Sequence, residues 1–491
     1  MRIVVIGHGM VGSRFAADLV EADPEARVTV LGQEDHDPYN RVMLSSLVAG
    51  TVDPGALTLA APRHERVQVL RGVSAVRLDR GRRVVLDSRG REHPYDRAVL
   101  ATGSAPRIPE IPGVWADGQL VGGVSALKDL DDARRIIAST LRADQAVVLG
   151  AGVLGLEVAT GLAARGLEVT LVHHRDRLME RQLDPDASEI ARSSVERLGI
   201  RVVMGTGAAG VDAPGGRLQR VQLTDGAEIP AQLLVLCAGT VPHADLAEES
   251  GLTCENGVVV GYDLATAEDP AVFAIGDCAQ PPGGASGLVA QGWEQSRQLV
   301  HALARRPGAL SATPPGRELM RVKAVGFALV TMGRIDRPAP TAHALRSVRM
   351  SDPYGGRYTE VVVHDGHLIA ATVIGDEEIA ATLGAAFTRR TPVPRDPVHL
   401  LARPLSGQGA AAVRPVAERG DAETICQCNG VTKGVLCAAI RSGCSTPAEL
   451  SDATRAGTGC GTCTGDLTAL LESRAAAANG ETVSAAVGAV L

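Results

Sequence analysis

The chain has 491 residues, 45% of them apolar and 21% charged, with a formal net charge of −7 at pH 7. These values fit a globular protein of about three domains, and the acidic balance argues against a nucleic-acid partner. No run approaches the roughly 18 unbroken apolar residues of a membrane span, and the N-terminus has neither a basic region nor a cleavage site, so a cytoplasmic chain with no membrane partner is expected.

Residues 2–6 read as an apolar strand entering Gly7-x-Gly9-x-x-Gly12, with Met10 inside the turn and an amphipathic run at 15–22 behind it. In a strand–turn–helix unit the first glycine makes the tight turn and the second admits a pyrophosphate to the backbone. The third lets helix and strand pack closely, and the helix N-terminus faces the phosphates. A second strand at 27–31 leads to Glu34, 27 residues beyond Gly7, where a carboxylate can accept from a ribose 2′-hydroxyl. Arg41, after a proline-led entry at 37–40, can lay a cation along the same cofactor. The strand ending in Ala101-Thr102-Gly103 offers that cofactor a second stretch of backbone.

Residues 145–172 repeat the opening at a separation of 143 residues: strand, Gly150-x-Gly152-x-x-Gly155 with Val153 and Leu154 inside it, helix, strand. One such turn is common; two with strand and helix in place imply two dinucleotides in adjacent domains. The second unit has no acid at the place where the ribose carboxylate should stand. His173, His174 and Arg175 stand there instead, and such cations suit a 2′-phosphate. That tilts the expectation slightly towards NADPH, although 46 of the 49 basic residues are arginine, with Lys128, Lys323 and Lys433 the only lysines, which weakens inference from any one arginine. Glu157, early in the repeated helix, is within reach of the nicotinamide side.

A meander is expected over 200–235, then a strand ending at Gly239. The strand emptying into Gly276-Asp277 sets a carboxylate against polyol hydroxyls, and a helix beginning near 287, carrying Glu294, turns its N-terminus to a flavin. Residues 357–375 read as a hairpin with a turn at Asp365-Gly366, followed by a helix to about 387. Residues 404–422 read as a flexible linker, and the alanine-rich stretch from 475 as a poorly ordered tail.

Six of the nine cysteines fall between Cys426 and Cys463. Such a cluster in a cytoplasmic chain signals metal or redox chemistry rather than disulfides. Cys426-x-Cys428 and Cys460-x-x-Cys463 place four thiolates on two loops, with a helix over 432–442, a capping box at Thr446 and Glu449, and a second helix between them. The set suits tetrahedral zinc or a [2Fe–2S] cluster; the single-residue spacing of the first pair is less typical of zinc. Cys437 and Cys444 read as core thiols. Neither Cys-x-x-Cys nor Cys-x4-Cys occurs in the first 400 residues, which argues against a disulfide reductase of the thioredoxin or glutathione type.

The order of glycine turn, Ala101-Thr102-Gly103, second glycine turn and Ile275-Gly276-Asp277 resembles the two-dinucleotide flavoprotein reductases over about residues 1–400. The stretches at 39–46 and 178–184 more narrowly resemble the flavoprotein part of NAD(P)H nitrite reductase large subunits and the electron-transfer subunits of assimilatory nitrate reductases. The spacing of the second cysteine group resembles bacterioferritin-associated ferredoxin domains, which favours [2Fe–2S] over zinc. The fold implied is α/β, with two Rossmann-like domains, an α+β domain and a small helical [2Fe–2S] domain. The expected bounds are 1–115 with 245–315 for FAD, 116–244 for NAD(P)H, 316–403 for the α+β domain, 404–422 for the linker, 423–474 for the cluster and 475–491 for the tail. The resemblance assigns FAD to Gly7, Gly9, Met10, Gly12, Glu34, Arg41, Ala101, Thr102, Gly103, Gly276, Asp277 and Glu294. It assigns NADH or NADPH to Gly150, Gly152, Val153, Leu154, Gly155, Glu157, His173, His174, Arg175 and Gly239, and the cluster to Cys426, Cys428, Cys460 and Cys463.

A hydride carries two electrons and a [2Fe–2S] cluster takes one, so a flavin is the required converter; no general acid or base is needed. Full-length nitrite reductases of this kind carry a later sirohaem and [4Fe–4S] domain, and no cysteine follows Cys463 here. The expectation is therefore a chain that hands electrons to a separate protein, foremost the catalytic subunit of nitrate reductase. A ferredoxin or a separate nitrite reductase component is the alternative acceptor, and a non-catalytic redox sensor or scaffold the alternative class.

Overall fold

The computed structural model describes residues 1–59, 64–304, 319–333, 345–401, 415–426, 429–459, 461 and 463–478. The chain divides into two units, 1–403 and 404–491.

The first unit is built on two parallel five-stranded sheets and one antiparallel sheet. The apolar run Arg2–Ile6 takes the centre of the first, in the order Val272–Ala274, Arg97–Leu100, Arg2–Ile6, Arg27–Gly32, Val67–Arg71. Its register pairs Ile3 with both Val28 and Arg97. Strands covered on both faces must be apolar throughout, and Val4, Val5 and Ile6 are accordingly all buried. The second sheet repeats the plan in the order Val124–Ala126, Leu233–Leu236, Gln145–Leu149, Glu168–His173, Arg201–Met204. Each sheet has its glycine-turn helix, Met10–Ala22 and Val153–Ala164. An antiparallel ribbon of Ser104–Pro106 and Thr240–Pro242 joins the two halves.

The third sheet is antiparallel, in the order Leu319–Ala324, Phe327–Met332, His367–Ile374, Arg357–His364, Leu345–Asp352, with the helix Glu377–Arg389 following it. Its hairpin turns at Asp365 and Gly366, both at positive φ. The meander expected over 200–235 forms as Ala208–Asp212, Arg220–Leu223 and Glu228–Pro230.

A second meander, Ala75–Asp79, Val84–Asp87 and Glu92–Pro94, belongs to the first half. Its Asp87 carboxylate is buried and accepts from the Arg89 and Arg91 amides and from His93 Nε2. Burial alone would raise this carboxyl, but those hydrogen bonds outweigh it and hold it below the usual range. A depressed folded value contributes stability above the unfolded value of about 3.9, and that contribution is lost as the pH falls through the folded value. An Asp87→Asn chain is therefore expected to melt lower than wild type at pH 7 and to lose less of its melting temperature on acidification below about pH 4. Parallel melting curves across that range would refute it.

The second unit has its own core of Val416, Ile425, Cys426, Val431, Leu436, Cys437, Leu450, Cys463, Leu467 and Leu470. Its helices are Lys433–Arg441, Pro447–Thr454 and Thr464–Ala478. The capping box between Thr446 and Glu449 forms. Residues 415–422, read from sequence as linker, contribute buried Val416 to this core, and Lys433 Nζ donates to the Ala417 and Arg419 carbonyls at 2.6 and 2.5 Å. No described helix is long and apolar enough to cross a membrane.

Candidate functional site

The first glycine turn is sterically obligatory. Gly7 has φ +120°, and a Cβ there would stand 2.1 Å from the Ala101 carbonyl oxygen. A Cβ on Gly12 would stand 2.1 Å from the Gly7 carbonyl oxygen. The helix behind them starts at Met10 with Gly9 as its cap; no side chain caps it and its first turn carries no acid. Free amides at a helix start form an anion site, and Gly9 keeps the approach open, the nearest atom to a Cβ there being Arg41 Nε at 3.9 Å.

Glu34 lies just past the second strand, as the spacing predicts. Tyr39 donates its hydroxyl to it at 2.7 Å and the Arg41 guanidinium pairs with its other oxygen. Arg41 also stacks 4.7 Å over the Tyr39 ring and donates to the Lys128 carbonyl. The carboxylate, the cation and the glycine turn therefore share one end of the sheet.

Ala101, Thr102 and Gly103 end the neighbouring strand. Thr102 donates to the His243 carbonyl at 2.7 Å, and Gly103, at φ +72°, has open space where a Cβ would project. Gly276 follows Val272–Ala274 at φ +79°, and its amide donates to Gln295. Asp277 Oδ2 accepts from Ser104 Oγ at 3.0 Å and faces Lys128 Nζ at 3.3 Å. The helix Val289–Leu303 packs on Val11: a Cβ on its Gly292 would come within 2.6 Å of Val11 Cγ2. Glu294 on that helix pairs with Arg297, one turn along. The structure gathers the expected FAD residues at one end of the first sheet, with Glu294 on the helix that packs against Val11 and Gly276.

The second turn copies the first. Gly150 has φ +112° with its Cβ position 2.3 Å from the Cys237 carbonyl oxygen, and a Cβ on Gly155 would lie 1.8 Å from the Gly150 carbonyl oxygen. Gly152 caps the helix and, like Gly239 at φ +95°, meets nothing within 4 Å. Val153 and Leu154 form the first turn of that helix, partly buried. His174 and Arg175 are exposed, whereas His173 is buried and points inward. Its Nδ1 accepts from the Ala151 amide at 3.3 Å and its Nε2 faces Glu180 at 3.1 Å.

Glu157 is 3% exposed. Ser45 donates to one of its oxygens, and Lys323 reaches the other with both its amide at 2.8 Å and its ammonium at 2.7 Å. Three pieces of chain thus converge on one carboxylate: the helix Leu44–Ala49, the glycine-turn helix and the first strand of the third sheet.

The three thiols of this unit are all shifted away from the thiolate. Burial pushes Cys237 up to about 12 and also raises Cys278 and Cys254, while a reactive thiol needs the reverse shift.

In the second unit Cys426 ends the strand Thr424–Cys426 and Cys463 immediately precedes the helix Thr464–Ala478, both buried. Cys428 and Cys460 lie outside the described residues. Asn429 Nδ2 stands 3.8 Å from Cys426 Sγ and ties this loop to the Arg455 carbonyl at 2.7 Å and Thr458 Oγ1 at 3.1 Å. Soft thiolates in an apolar shell with an N–H beside one sulfur fit an iron–sulfur cluster. Cys437 is in the core, with Arg474 donating to its sulfur, and Cys444 is packed against it.

Sequence reasoning missed Tyr39, Ser45, Ser104, Lys128, Gln295 and Lys323. The rarity of lysine was the available signal for two of them.

Residues 1–304 match the family model of the pyridine nucleotide-disulphide oxidoreductases, residues 319–391 the rubredoxin NAD+ reductase C-terminal domain, and residues 424–473 the BFD-like [2Fe-2S] binding domain. Among curated relatives, a nitrite reductase [NAD(P)H] of Bacillus subtilis is 30% identical over 94% of this chain and 56% of its own length. The assimilatory nitrate reductase electron transfer subunit of the same organism is 28% identical over 94% and 58%. The chain thus spans a little over half the length of these relatives. The ferredoxin reductase for the CYP199A2 system of Rhodopseudomonas palustris superposes with a TM-score of 0.67 at 26% identity, over 77% of this chain and 92% of that one. The glycine turns fit dinucleotides, the buried thiols of Cys426 and Cys463 fit iron, and the matched domain is a [2Fe-2S] one, so FAD, NAD(P)H and a [2Fe–2S] cluster are the cofactors, and the chain belongs to the pyridine nucleotide-disulphide oxidoreductase family, with a BFD-like domain at 424–473.

Proposed function

We propose that this chain passes electrons from NAD(P)H to FAD, from FAD to the [2Fe–2S] cluster, and on to a protein acceptor, foremost the catalytic subunit of an assimilatory nitrate reductase. The observation that carries the reading is the duplicated turn: two parallel sheets, each ending in an obligatory glycine turn with an uncapped helix start. When bound, the flavin accepts a hydride and releases electrons singly.

The remaining roles belong to the chain. The amides at 9–12 hold the FAD pyrophosphate, and Glu34 takes the adenosine ribose with Tyr39 and Arg41 fixing its carboxylate. Asp277 faces the ribityl hydroxyls, positioned by Ser104 and Lys128. Ala101, Thr102, Gly103 and Gly276 supply backbone along the cofactor. The amides at 152–155 hold the coenzyme pyrophosphate, and Gly239 leaves room for its nicotinamide half. Cys426, Cys428, Cys460 and Cys463 ligate the cluster.

The nitrate reductase acceptor is favoured by the relative whose name is that of its electron transfer subunit. A second reading, reduction of a ferredoxin or rubredoxin, is favoured by the match of residues 319–391 to the rubredoxin reductase C-terminal domain. Anaerobic addition of NADH or NADPH to the FAD- and iron-loaded chain is expected to bleach the flavin bands and then to raise a cluster signal in electron paramagnetic resonance. Bleaching without that signal would remove the cluster from the path, and no bleaching would remove the oxidoreductase reading. Pull-down against a nitrate reductase catalytic subunit and a ferredoxin separates the two acceptors.

A further inference from the structure

In the second dinucleotide unit Arg175 stands at the strand-register counterpart of Glu34, and the next residue, Asp176, is an 88% exposed carboxylate that faces Arg177. The fold supplies an anchored carboxylate from farther along the chain. Beyond His173 the chain turns back, and the Met179 amide donates to the Ala151 carbonyl at 3.0 Å, inside the glycine turn itself. Met179 is buried and holds φ +46°, the left-handed region that a side-chain-bearing residue enters only when its surroundings compel it. That twist delivers the next residue, Glu180, to the strand end. There Glu180 Oε2 meets His173 Nε2 at 3.1 Å, and His173 Nδ1 accepts from the Ala151 amide at 3.3 Å. An Nδ1 that accepts leaves the proton on Nε2, so His173 donates to Glu180. Two contacts with Ala151, one through each neighbour, therefore fix the carboxylate against the turn.

We propose that Glu180 receives the 2′-hydroxyl of the coenzyme adenosine and repels a 2′-phosphate, making NADH the preferred donor. This rests on the reading of the second glycine turn as the coenzyme site. A carboxylate beside such a turn accepts from a ribose 2′-hydroxyl, and its charge opposes a phosphate. The charge is secure: burial would raise the Glu180 carboxyl, but its own backbone amide and His173 hold it below the usual range. Burial likewise lowers His173, which stays neutral near pH 7 and does not cancel that charge. His174, Arg175, Asp176 and Arg181 on the same loop are exposed, and half-buried Arg177 faces Asp176 at 3.9 Å. The cations that suggest a 2′-phosphate in the sequence are thus the solvated groups, and Glu180 is the anchored acid, with its side chain 26% exposed.

The test is calorimetric titration of the FAD-loaded full chain with 5′-AMP and with 2′,5′-ADP, which probe the adenosine subsite without turnover. Wild type is expected to bind 5′-AMP about ten-fold more tightly than 2′,5′-ADP, the scale of one hydrogen bond to a charged group. Glu180→Gln is expected to bring the two affinities to within about two-fold, because the amide removes the charge at constant shape. Tighter binding of 2′,5′-ADP by wild type, or an unchanged ratio in Glu180→Gln, would overturn the proposal while leaving the coenzyme site in place. Binding of neither nucleotide would overturn the coenzyme-site reading, and the proposal with it. The wild-type comparison stands alone if the variant does not fold.

Discussion

A Gly12→Val chain is expected to purify without its flavin colour, with FAD occupancy below about one-tenth of wild type and NAD(P)H oxidation lost in the same proportion. The expectation follows from packing: the first atom of any side chain at Gly12 would lie 2.1 Å from the Gly7 carbonyl oxygen. Nothing flexible can give way there, because both atoms belong to the backbone of the turn. Gly152→Ala supplies the contrast. Its Cβ meets nothing within 4 Å, so that chain should keep its FAD and its melting temperature and lose affinity only for the coenzyme. The absorbance ratio of flavin to protein, with circular dichroism as the folding control, decides the matter. Full flavin occupancy in Gly12→Val would mean that the pyrophosphate lies elsewhere.

Replacing Cys426 with serine separates the two halves of the relay. The side chain is buried in the core of the second unit, and a hard hydroxyl is a poor substitute for a thiolate on iron. The cluster should be absent, and electron delivery to a protein acceptor should fall to below about one-hundredth of wild type. Reduction of a small one-electron dye should stay within about two-fold, because the dye draws on the flavin directly. Because the first unit holds its own cores, its melting should be unaffected. Equal losses with dye and protein acceptor would show that the cluster is needed for flavin reduction as well, contrary to the proposed order. Iron content and the two rates are the measurements.

The parts of this fold that were legible in the sequence are those governed by local chemistry. An apolar strand, three glycines at fixed offsets and a following amphipathic run fix the geometry between Arg2 and Ala22, and again between Gln145 and Ala164, since no other residue type fits the positive φ values and close approaches. Glu34 was legible because its spacing from Gly7 is set by one helix and one strand. Glu180 was not, because what brings it to its strand end is a left-handed Met179 and a hydrogen bond to Ala151, neither of which leaves a pattern in composition or period. The same holds for His173, which looked like one of three cations and turns into the core. Lys128, Lys323 and Lys433 form another class. In a chain whose basic residues are otherwise arginine, each ends in a confined polar joint: on Ser104 and Asp277, on Glu157, and on the Ala417 and Arg419 carbonyls. A compact ammonium on a slender stem fits such places better than a planar guanidinium. In a chain this rich in arginine, each lysine marks a place where a guanidinium does not fit.

The convergence of three chain segments on Glu157 restricts how this protein can be recombined. Residues 319–391 form a recognisable module that also matches a separate reductase domain, and on that ground it looks exchangeable among relatives. Yet its first strand carries the one ammonium that neutralises a carboxylate 3% exposed in another module. A graft lacking a basic residue at the place of Lys323 would leave the buried carboxylate with Ser45 and one backbone amide but no countercharge, a defect costing about 3–5 kcal/mol. Hybrids should therefore survive only when the lysine travels with the graft or when Glu157 is neutralised in the recipient, so the seam of heritable exchange in this chain is set by an ion pair rather than by a domain boundary.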